Sequence, residues 1–545
     1  MHYERFKTSF ARNIFRQKYA QGPEDTWDAL ADRLVEDVCG TRWGTDRPLM
    51  SEGDRKELAE HIKNFRFIPG GRYLYYAGRP YKAYNNCYLL RAEEDTREEW
   101  ANVAWRAMNC LTTGGGIGID YSRLRPEGKP LSRTGGTSSG PLPLMSAINE
   151  IGRSVMQGGS RRSAIYASLN WQHEDIPKFL VAKNWPEFIK EQKGKDFNFP
   201  GFLDMTNISV NYDDAWGFDP NNPVFLANCR QAMMTGEPGF SFNFGDKWNE
   251  TLRNACTEVT SEDDSDVCNL GSINLGNIKS LEEFQGVVSL ASKFLVCGTL
   301  RADLPYEKVY KVREKNRRLG LGLMGIHEWL LQRGSQYEVT PELHKWLEVY
   351  KNESETSAKE HCDRLFISRP VAFRAIAPTG SIGILAGTTT GIEPLFAVAY
   401  KRRYLTDGTK WKYEFVVDST ADLLIKEYGL DPDSIDTAYK LSHDYEQRIK
   451  FQADIQDYVD MSISSTINLP PWGSKGNSEG DVQRFAATLG MYAPRLRGFT
   501  CYPDGSRGGQ PLTEVSYEEA MKHKGTVFEE HDVCSITGHG GSCGV

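Results

Sequence analysis

Residues 24–38, EDTWDALADRLVEDV, carry apolar side chains at mixed three- and four-residue spacing, with Glu24 and Asp25 at the start. Such spacing gathers the apolar positions on one helix face and predicts a packing helix. The same texture covers residues 1 to about 75. From Phe67 the pattern changes to short apolar runs broken by Gly, Pro and Asn, as in FIPGGRYLYYAG (67–78) and NNCYLL (85–90). These strand-like runs alternate with longer helical patterns to about residue 515, which predicts an α/β core behind a small helical region. Two stretches read as breaks: NWPEFIKEQKGKDFNFPG (184–201), and the acidic SEDDSD (261–266), read as a solvated loop. From Tyr517 the chain opens a short charged helix and closes on SITGHGGSCGV, a Gly-rich arm around Cys534 and Cys543 that reads as mobile. No internal repeat or low-complexity tract interrupts this order.

At 545 residues the chain has room for three or four domains, or one large one. Its 39% hydrophobic and 25% charged residues exclude intrinsic disorder. A net charge of −8 argues against a surface that wraps nucleic acid. No apolar run reaches the ~18–20 residues that span a bilayer. The opening MHYERFKTSF lacks the apolar segment of a secretory signal. A cytoplasmic protein with reduced thiols is the expectation. Its eleven cysteines are scattered, and Cys39, Cys110, Cys229, Cys297 and Cys362 read as core residues.

Among the glycine-rich segments, GGGIGID (114–120) fails the dinucleotide spacing, because Ile119 stands where the third glycine is needed. No Walker A motif occurs. APTGSIGILAGTTTGIEP (377–394) suits phosphate better: Pro378 sets a turn, and Thr379, Gly380 and Ser381 offer N–H groups and hydroxyls at a helix start. A plain capped turn is the alternative. QGGSRRSA (157–164) sets Arg161 and Arg162 behind two glycines, which suits phosphate or base contacts or a simple basic turn.

The most informative segment is NACTEVTSEDDSDVCNLGSINL (254–275). Asn254, Cys256 and Glu258 alternate, so on an extended finger all three would project to one side. A carboxylate beside a thiol disfavours the thiolate, and no histidine lies nearby, so a hydrolytic Cys–His enzyme is a poor reading. A neutral thiol beside a base suits hydrogen-atom chemistry.

With its N-x-C-x-E finger followed by CNLGSINL, the chain resembles the catalytic subunit of ribonucleotide reductases. The likeness runs from about residue 65 to 512. It rests, in order, on NNCYLL, GGGIGIDYSRLRPEG, TGGTSSGP (134–141), QGGSRRSAIYASLNWQHEDI, the finger, APTGSIGILAGTTTGIEP, SISSTINLP (462–470) and TCYPDGSRGGQPL (500–512). The resemblance implies conversion of ribonucleotides to 2′-deoxyribonucleotides by a cysteine thiyl radical, for DNA precursor synthesis. The implied fold is a ten-stranded α/β barrel of two antiparallel five-stranded halves around a central finger loop. Three regions are then expected: helical residues 1–75 without an ATP-cone, a barrel over 76–516, and a flexible redox tail over 517–545.

By the same resemblance, Cys256 would take the 3′ hydrogen, Glu258 would act as base on the 3′ hydroxyl, and Asn254 would hold the ribose hydroxyls. Cys87 and Cys268 would be the redox pair. Ser139 and Gly140, with Pro378, Thr379, Gly380 and Ser381, would bind substrate. Gly159, Arg161 and Arg162 would form the effector loop for deoxynucleotides or ATP. Cys534 and Cys543 would reduce the spent disulfide and be recharged by a thioredoxin- or glutaredoxin-like protein. A zinc site of His531, Cys534, His539 and Cys543 is the alternative for the tail.

The stretch GFTCYPDGSRGGQPL (498–512) has a single Tyr502 beside Cys501, where a tyrosine pair serves reductases activated by a metal-containing subunit. Its wording, with FIPGGRYLY, resembles the adenosylcobalamin-dependent class. That class implies adenosylcobalamin as radical source; activation by a separate metal subunit is the alternative. A homodimer is expected, and neither membrane nor nucleic-acid partners.

Overall fold

A computed structural model of the chain describes residues 5–41, 47–155, 163–196, 199–406, 410–506, 512–523 and 526–529. Three helices lead in: Ser9–Lys18, Trp27–Cys39 and Glu52–Lys63. Each is capped by a hydroxyl, with Thr8, Thr26 and Ser51 accepting from the N–H three residues on. Trp27 stacks on Phe65 at 4.9 Å and seats this layer against the rest of the molecule.

Sixteen strands follow among the described residues. In chain order they are β1 (Phe67–Pro69), β2 (Cys87–Arg91), β3 (Gly116–Asp120), β4 (Ile165–Asn170), β5 (Thr206–Asp213), β6 (Gly239–Asn243), β7 (Leu252–Arg253), β8 (Thr260–Ser261), β9 (Asp266–Asn274), β10 (Leu319–Met324), β11 (Ala399–Thr406), β12 (Lys410–Val417), β13 (Thr466–Leu469), β14 (Gly498–Pro503), β15 (Leu512–Glu514) and β16 (Val527–Glu529).

Strands β2 to β6 pair in sequence, all parallel, through helical crossovers such as Arg97–Thr112 and Pro223–Thr235. A second parallel set runs from β9 to β10, from Leu321 to Arg374, from Ile376 to Ile463, and from β13 to β14. The two sets meet antiparallel at both seams, β2 with β9 and β6 with β14. The result is the expected ten-stranded barrel of two five-stranded halves, with the 374–376 segment supplying one strand. β1 adds to the edge of β9 outside this ring.

Because the halves run oppositely, one mouth of the barrel collects the C-terminal ends of β9, β10, the 374–376 segment, β13 and β14. It also holds the N-terminal ends of β2 to β6. The finger enters from the other mouth, between the end of β6 and the start of β9, as the hairpin β7–β8.

Two features depart from the sequence reading. The acidic stretch 261–266 is solvated only in part: Glu262 is exposed, but Asp264 and Asp266 are buried, paired with Lys308 at 2.6 Å and Arg318 at 2.7 Å. Its partners lie about fifty residues away in the chain, where a local pattern does not reveal them. Separately, β15, β11, β12 and β16 form a four-stranded antiparallel sheet beside the barrel. The helix Tyr517–Lys522 packs Ala520 against Phe415 of that sheet. Cys534, Cys543, His531 and His539, like Gly159, Arg161 and Arg162, lie outside the described residues.

Candidate active site

The finger tip is a tight turn. Asn254 N–H donates to the carbonyl of Val259 at 3.4 Å, Thr257 N–H to Asn254 O at 3.0 Å, and Thr257 takes a left-handed φ of 71°. That residue breaks the expected alternation. Asn254 folds inward, where its Oδ1 accepts from Val259 N–H at 2.9 Å, and Glu258 is buried, while Cys256 alone is exposed at the apex. The hairpin lies against β2 and β3 because two glycines leave room. A Cβ at Gly118 would come within 1.8 Å of Arg253 O, and one at Gly116 within 2.9 Å of Ala255 Cβ. The glycine run that fails as a dinucleotide motif is thus the seat of the finger.

Buried charge fixes the finger's base. Arg253 is 1% exposed and donates to Asn243 Oδ1 at 2.7 Å and to the carbonyls of Phe242 and Arg497. Glu250 accepts from Thr260 Oγ1 at 2.6 Å and pairs with Arg497 at 3.0 Å. Burial would raise its carboxyl, but Arg497 and Arg318 hold it down to about 2. Sequence reasoning missed Glu250, Arg253, Arg318 and Arg497. Glu250, Arg318 and Arg497 lie in the connections next to strands and carry no local signal; only Arg253 sits within a strand.

Cys87 and Cys268 are direct cross-strand partners in the antiparallel seam of β2 and β9. Such partners have Cα atoms about 4.5–5.5 Å apart and side chains on one face. That spacing falls inside the range a disulfide bridges. Both thiols are reduced and buried. Burial, reinforced by Glu258, pushes the Cys87 thiol up to about 12, against the Asn254 carboxamide and the Ala255 N–H, which pull it down. Cys268 is raised by burial, Asp266 and Glu258, in that order. The redox pair and the finger tip therefore form one constellation, with Glu258 facing both thiols. Gly320 on β10 completes the fit, since a Cβ there would lie 3.0 Å from Cys268 Sγ.

Glu258 is 1% exposed, and burial lifts its carboxyl to about 7, partly offset by the Asn254 carboxamide. Its Oε2 has no hydrogen-bond partner, and neither do the buried Asn254 Nδ2, Asn85 Oδ1, Asn86 Oδ1 and Ser462 Oγ. Asn85 and Asn86 immediately precede Cys87, and Ser462 N–H donates to Glu258 O at 2.8 Å. Unpaired polar atoms in a barrel interior are costly unless a polar ligand satisfies them. Ribose hydroxyls have the required chemistry. Sequence reasoning did not single out Asn85, Asn86 or Ser462, although two amides before a redox cysteine were visible.

At the mouth toward which the tip points, the 374–376 strand ends in Pro378 and Thr379, followed by the short helix Gly380–Ala386. Thr379 adopts φ 53°, and its Oγ1 accepts from Gly391 N–H at 2.8 Å, pinning the turn. Gly380 is exposed and Ser381 partly so, leaving the first N–H groups of this turn open to the mouth. Ser139 and Gly140 are placed differently. They follow the C-terminal end of β3, at the opposite mouth, where a Cβ on Gly140 would meet Asp175 Oδ2 at 2.6 Å. The topology therefore does not bring them to the finger-tip constellation, a correction to their expected place in the substrate pocket.

Cys110, Cys229, Cys39, Cys297 and Cys362 are all buried, as expected of core thiols. Cys501 is buried too, donating to Ala232 O at 3.4 Å on the outer helix. Burial pushes its thiol up to about 12. Alternation along β14 leaves Tyr502 on the other face.

A base near pH 7 predicts a pH profile. The ionised Glu258 is the active form, so the rate should fall about tenfold per unit below pH 7 and level off above it. Glu258→Gln should cost about 10²–10⁴-fold and remove that acidic limb. Initial rates of nucleotide reduction from pH 5.5 to 8.5 (roughly, the span of one such titration) check this. A limb that persists in the variant would assign it to another group.

Comparison with known proteins agrees with this geometry. Residues 85–203, 229–349 and 368–493 match the family model described as ribonucleotide reductase, barrel domain. A vitamin B12-dependent ribonucleoside-diphosphate reductase of Mycobacterium tuberculosis is 26% identical, over 95% of this chain and 82% of its own length. A putative adenosylcobalamin-dependent ribonucleoside-triphosphate reductase of Mycobacterium phage D29 is 27% identical, over 78% of this chain and 72% of its own. The crystal structure of a B-12 dependent (class II) ribonucleotide reductase superposes with a TM-score of 0.70 at 16% identity, covering 94% of this chain and 93% of that one. The matched segments cover eight of the barrel's ten strands, including both that carry the paired cysteines, and the chain belongs to the ribonucleotide reductase barrel-domain family.

Proposed function

We propose that this chain reduces ribonucleotides to 2′-deoxyribonucleotides with adenosylcobalamin as its radical source. The observation that carries the reading is the constellation at the finger tip. An exposed thiol, Cys256, stands over a buried carboxyl raised to about 7 and a cross-strand thiol pair. Relatives named for vitamin B12 or adenosylcobalamin support the cofactor. The site is compatible with it: Cys256 is the one exposed thiol among the described residues, so a radical can reach it from a bound cofactor without crossing the protein. When bound, adenosylcobalamin supplies the initiating radical through its weak cobalt–carbon bond. The lone Tyr502, with Cys501 beside it turned to the outer helix, disfavours a relay through paired tyrosines.

The chain's own residues then divide the work. Cys256 takes the 3′ hydrogen while Glu258 accepts the 3′ hydroxyl proton, and Asn254, Asn85 and Ser462 hold ribose hydroxyls. Cys87 and Cys268 give a proton to the departing 2′ hydroxyl and end as a disulfide. Gly380 and Ser381, held by Pro378 and Thr379, cradle the phosphates. Burial of Glu258, Cys87 and Cys268 keeps water from the base and the thiol pair.

Deoxynucleotide or ATP effectors at Gly159, Arg161 and Arg162 complete the proposal. So do reduction of the pair by Cys534 and Cys543 with a thioredoxin-like donor, a homodimer, and a cytoplasmic setting. No helix among the described residues is long and apolar enough to cross a membrane.

The test is deoxycytidine nucleotide formation by purified protein with dithiothreitol and CDP or CTP, with and without adenosylcobalamin. Cobalamin-dependent product from either substrate is expected, and the better substrate sets the phosphate level. Folded protein that binds nucleotide and makes no product with cobalamin would overturn the reading in favour of a separate radical subunit.

A further inference from the structure

A second thiol cluster lies outside the barrel, where three helices meet. Cys39 is the last residue of Trp27–Cys39, Cys297 lies in Leu281–Arg301, and His361 in Pro341–Leu365. All three are buried. His361 Nε2 is 3.4 Å from Cys297 Sγ, and Cys39 lies between Val38 and Gly40, whose carbonyls accept from Arg301, one turn beyond Cys297. Arg301 locks the first two helices together at this point, donating to Val38 O at 3.2 Å and Gly40 O at 2.7 Å. A surface cavity of about 640 Å³ lies beside the cluster, with neither cysteine nor His361 in its wall. Glu36 and Thr41 in its wall flank Cys39, and Leu300 and Arg301 lie one turn beyond Cys297.

We infer that Cys297 and Cys39 are a peroxide-reactive thiol pair, which closes into a disulfide joining the N-terminal helical layer to the helix behind β9. The geometry assigns the roles. His361 takes the Cys297 proton, and the resulting thiolate attacks one oxygen of hydrogen peroxide. The O–O bond breaks, and the leaving hydroxide takes the proton from His361 and departs as water, giving a sulfenic acid on Cys297. The Cys39 thiol then attacks that sulfur, forming the S–S bond and releasing a second water. Two thiols are oxidised and one peroxide is reduced to two waters. A dithiol reverses the step by exchange.

The electrostatics run in the same direction. Burial raises the Cys297 thiol, but the neighbouring Cys39 thiol, His361 and the charge of Arg301 bring it below its ordinary value, while burial and Cys297 raise Cys39. An activated thiolate beside a protonated resolving thiol is the arrangement that disulfide formation needs. Cys229 and Cys501 are also buried, but burial raises both and neither has a hydrogen bond from a histidine among the described residues. They serve as internal controls. Closure would also be felt at the active site's back wall. Asn269, next to Cys268 on β9, donates to Leu295 O of the Cys297 helix at 2.8 Å.

The experiment treats the reduced full-length protein with hydrogen peroxide, quenches with an alkylating reagent, and maps peptides without reduction. A Cys39–Cys297 linked peptide is expected, lost on dithiothreitol treatment, with Cys229 and Cys501 recovered alkylated. In Cys39→Ala, a dimedone adduct should accumulate on Cys297. His361→Asn should slow Cys297 oxidation about tenfold for each unit by which the thiol rises. Alkylated Cys39 and Cys297 in protein whose Cys87 and Cys268 are already oxidised would overturn the inference. So would crosslinking at an unchanged rate in His361→Asn.

Discussion

Cys256→Ser should lower deoxynucleotide formation by about 10⁴–10⁶-fold, the scale on which an enzyme loses a covalent catalytic group. A hydroxyl holds its hydrogen too tightly to carry the radical, so the oxygen isostere keeps shape and loses chemistry. The thiol is exposed at the apex of a turn whose backbone bonds run through Asn254, Thr257 and Val259, and none of those bonds uses the Cys256 side chain. The variant should therefore fold normally and bind nucleotide with unchanged affinity. Turnover assays with equilibrium binding on the same preparation check this. Residual activity within tenfold of the parent (roughly 1.4 kcal/mol of barrier) would remove Cys256 from the centre of the account.

Cys268→Ser should abolish multiple turnover as completely, by a different route. The parent protein, reduced and then freed of thiol, should make about one product per chain from Cys87 and Cys268, and a second if the tail cysteines exchange with them. The variant should make none, because a serine facing Cys87 cannot complete the disulfide. Cys87→Ser should behave alike, which separates the pair's role from any private role of one thiol. Quantifying deoxynucleotide per chain after a single mixing, with free-thiol titration before and after, is the measurement. Burst formation in both variants equal to the parent would show that the electrons come from elsewhere.

How much of this was legible beforehand depends on the range of the interaction. Ordered local motifs were enough for the barrel, its two halves and the Cys87, Asn254, Cys256, Glu258 and Cys268 constellation, because each lies within a short, recognisable run. Where an outcome turned on distant partners, the reading failed. Asp264 and Asp266 looked solvated because Lys308 and Arg318 are remote in sequence, and only folding pairs them. The alternation of Asn254, Cys256 and Glu258 suggested three side chains on one extended face, but the turn at Thr257, with its positive φ, leaves Cys256 exposed while Asn254 and Glu258 are buried. Gly116 and Gly118 made sense only once the finger lay across them. Ser139 and Gly140 sat in a family-like motif, yet strand direction sends that loop to the opposite mouth. The cysteine–histidine cluster at Cys39, Cys297 and His361 joins three helices and has no local signature at all.

The central claim is that Cys256 takes hydrogen from C3′ of the bound ribose. Competition between CDP carrying hydrogen and deuterium at C3′, or between the CTP pair if the triphosphate is the substrate, tests it directly. Unreacted nucleotide should become progressively enriched in deuterium as the reaction proceeds, and only when adenosylcobalamin is present. Residual substrate of unchanged isotopic composition at high conversion would contradict hydrogen abstraction at C3′ and the role assigned to Cys256.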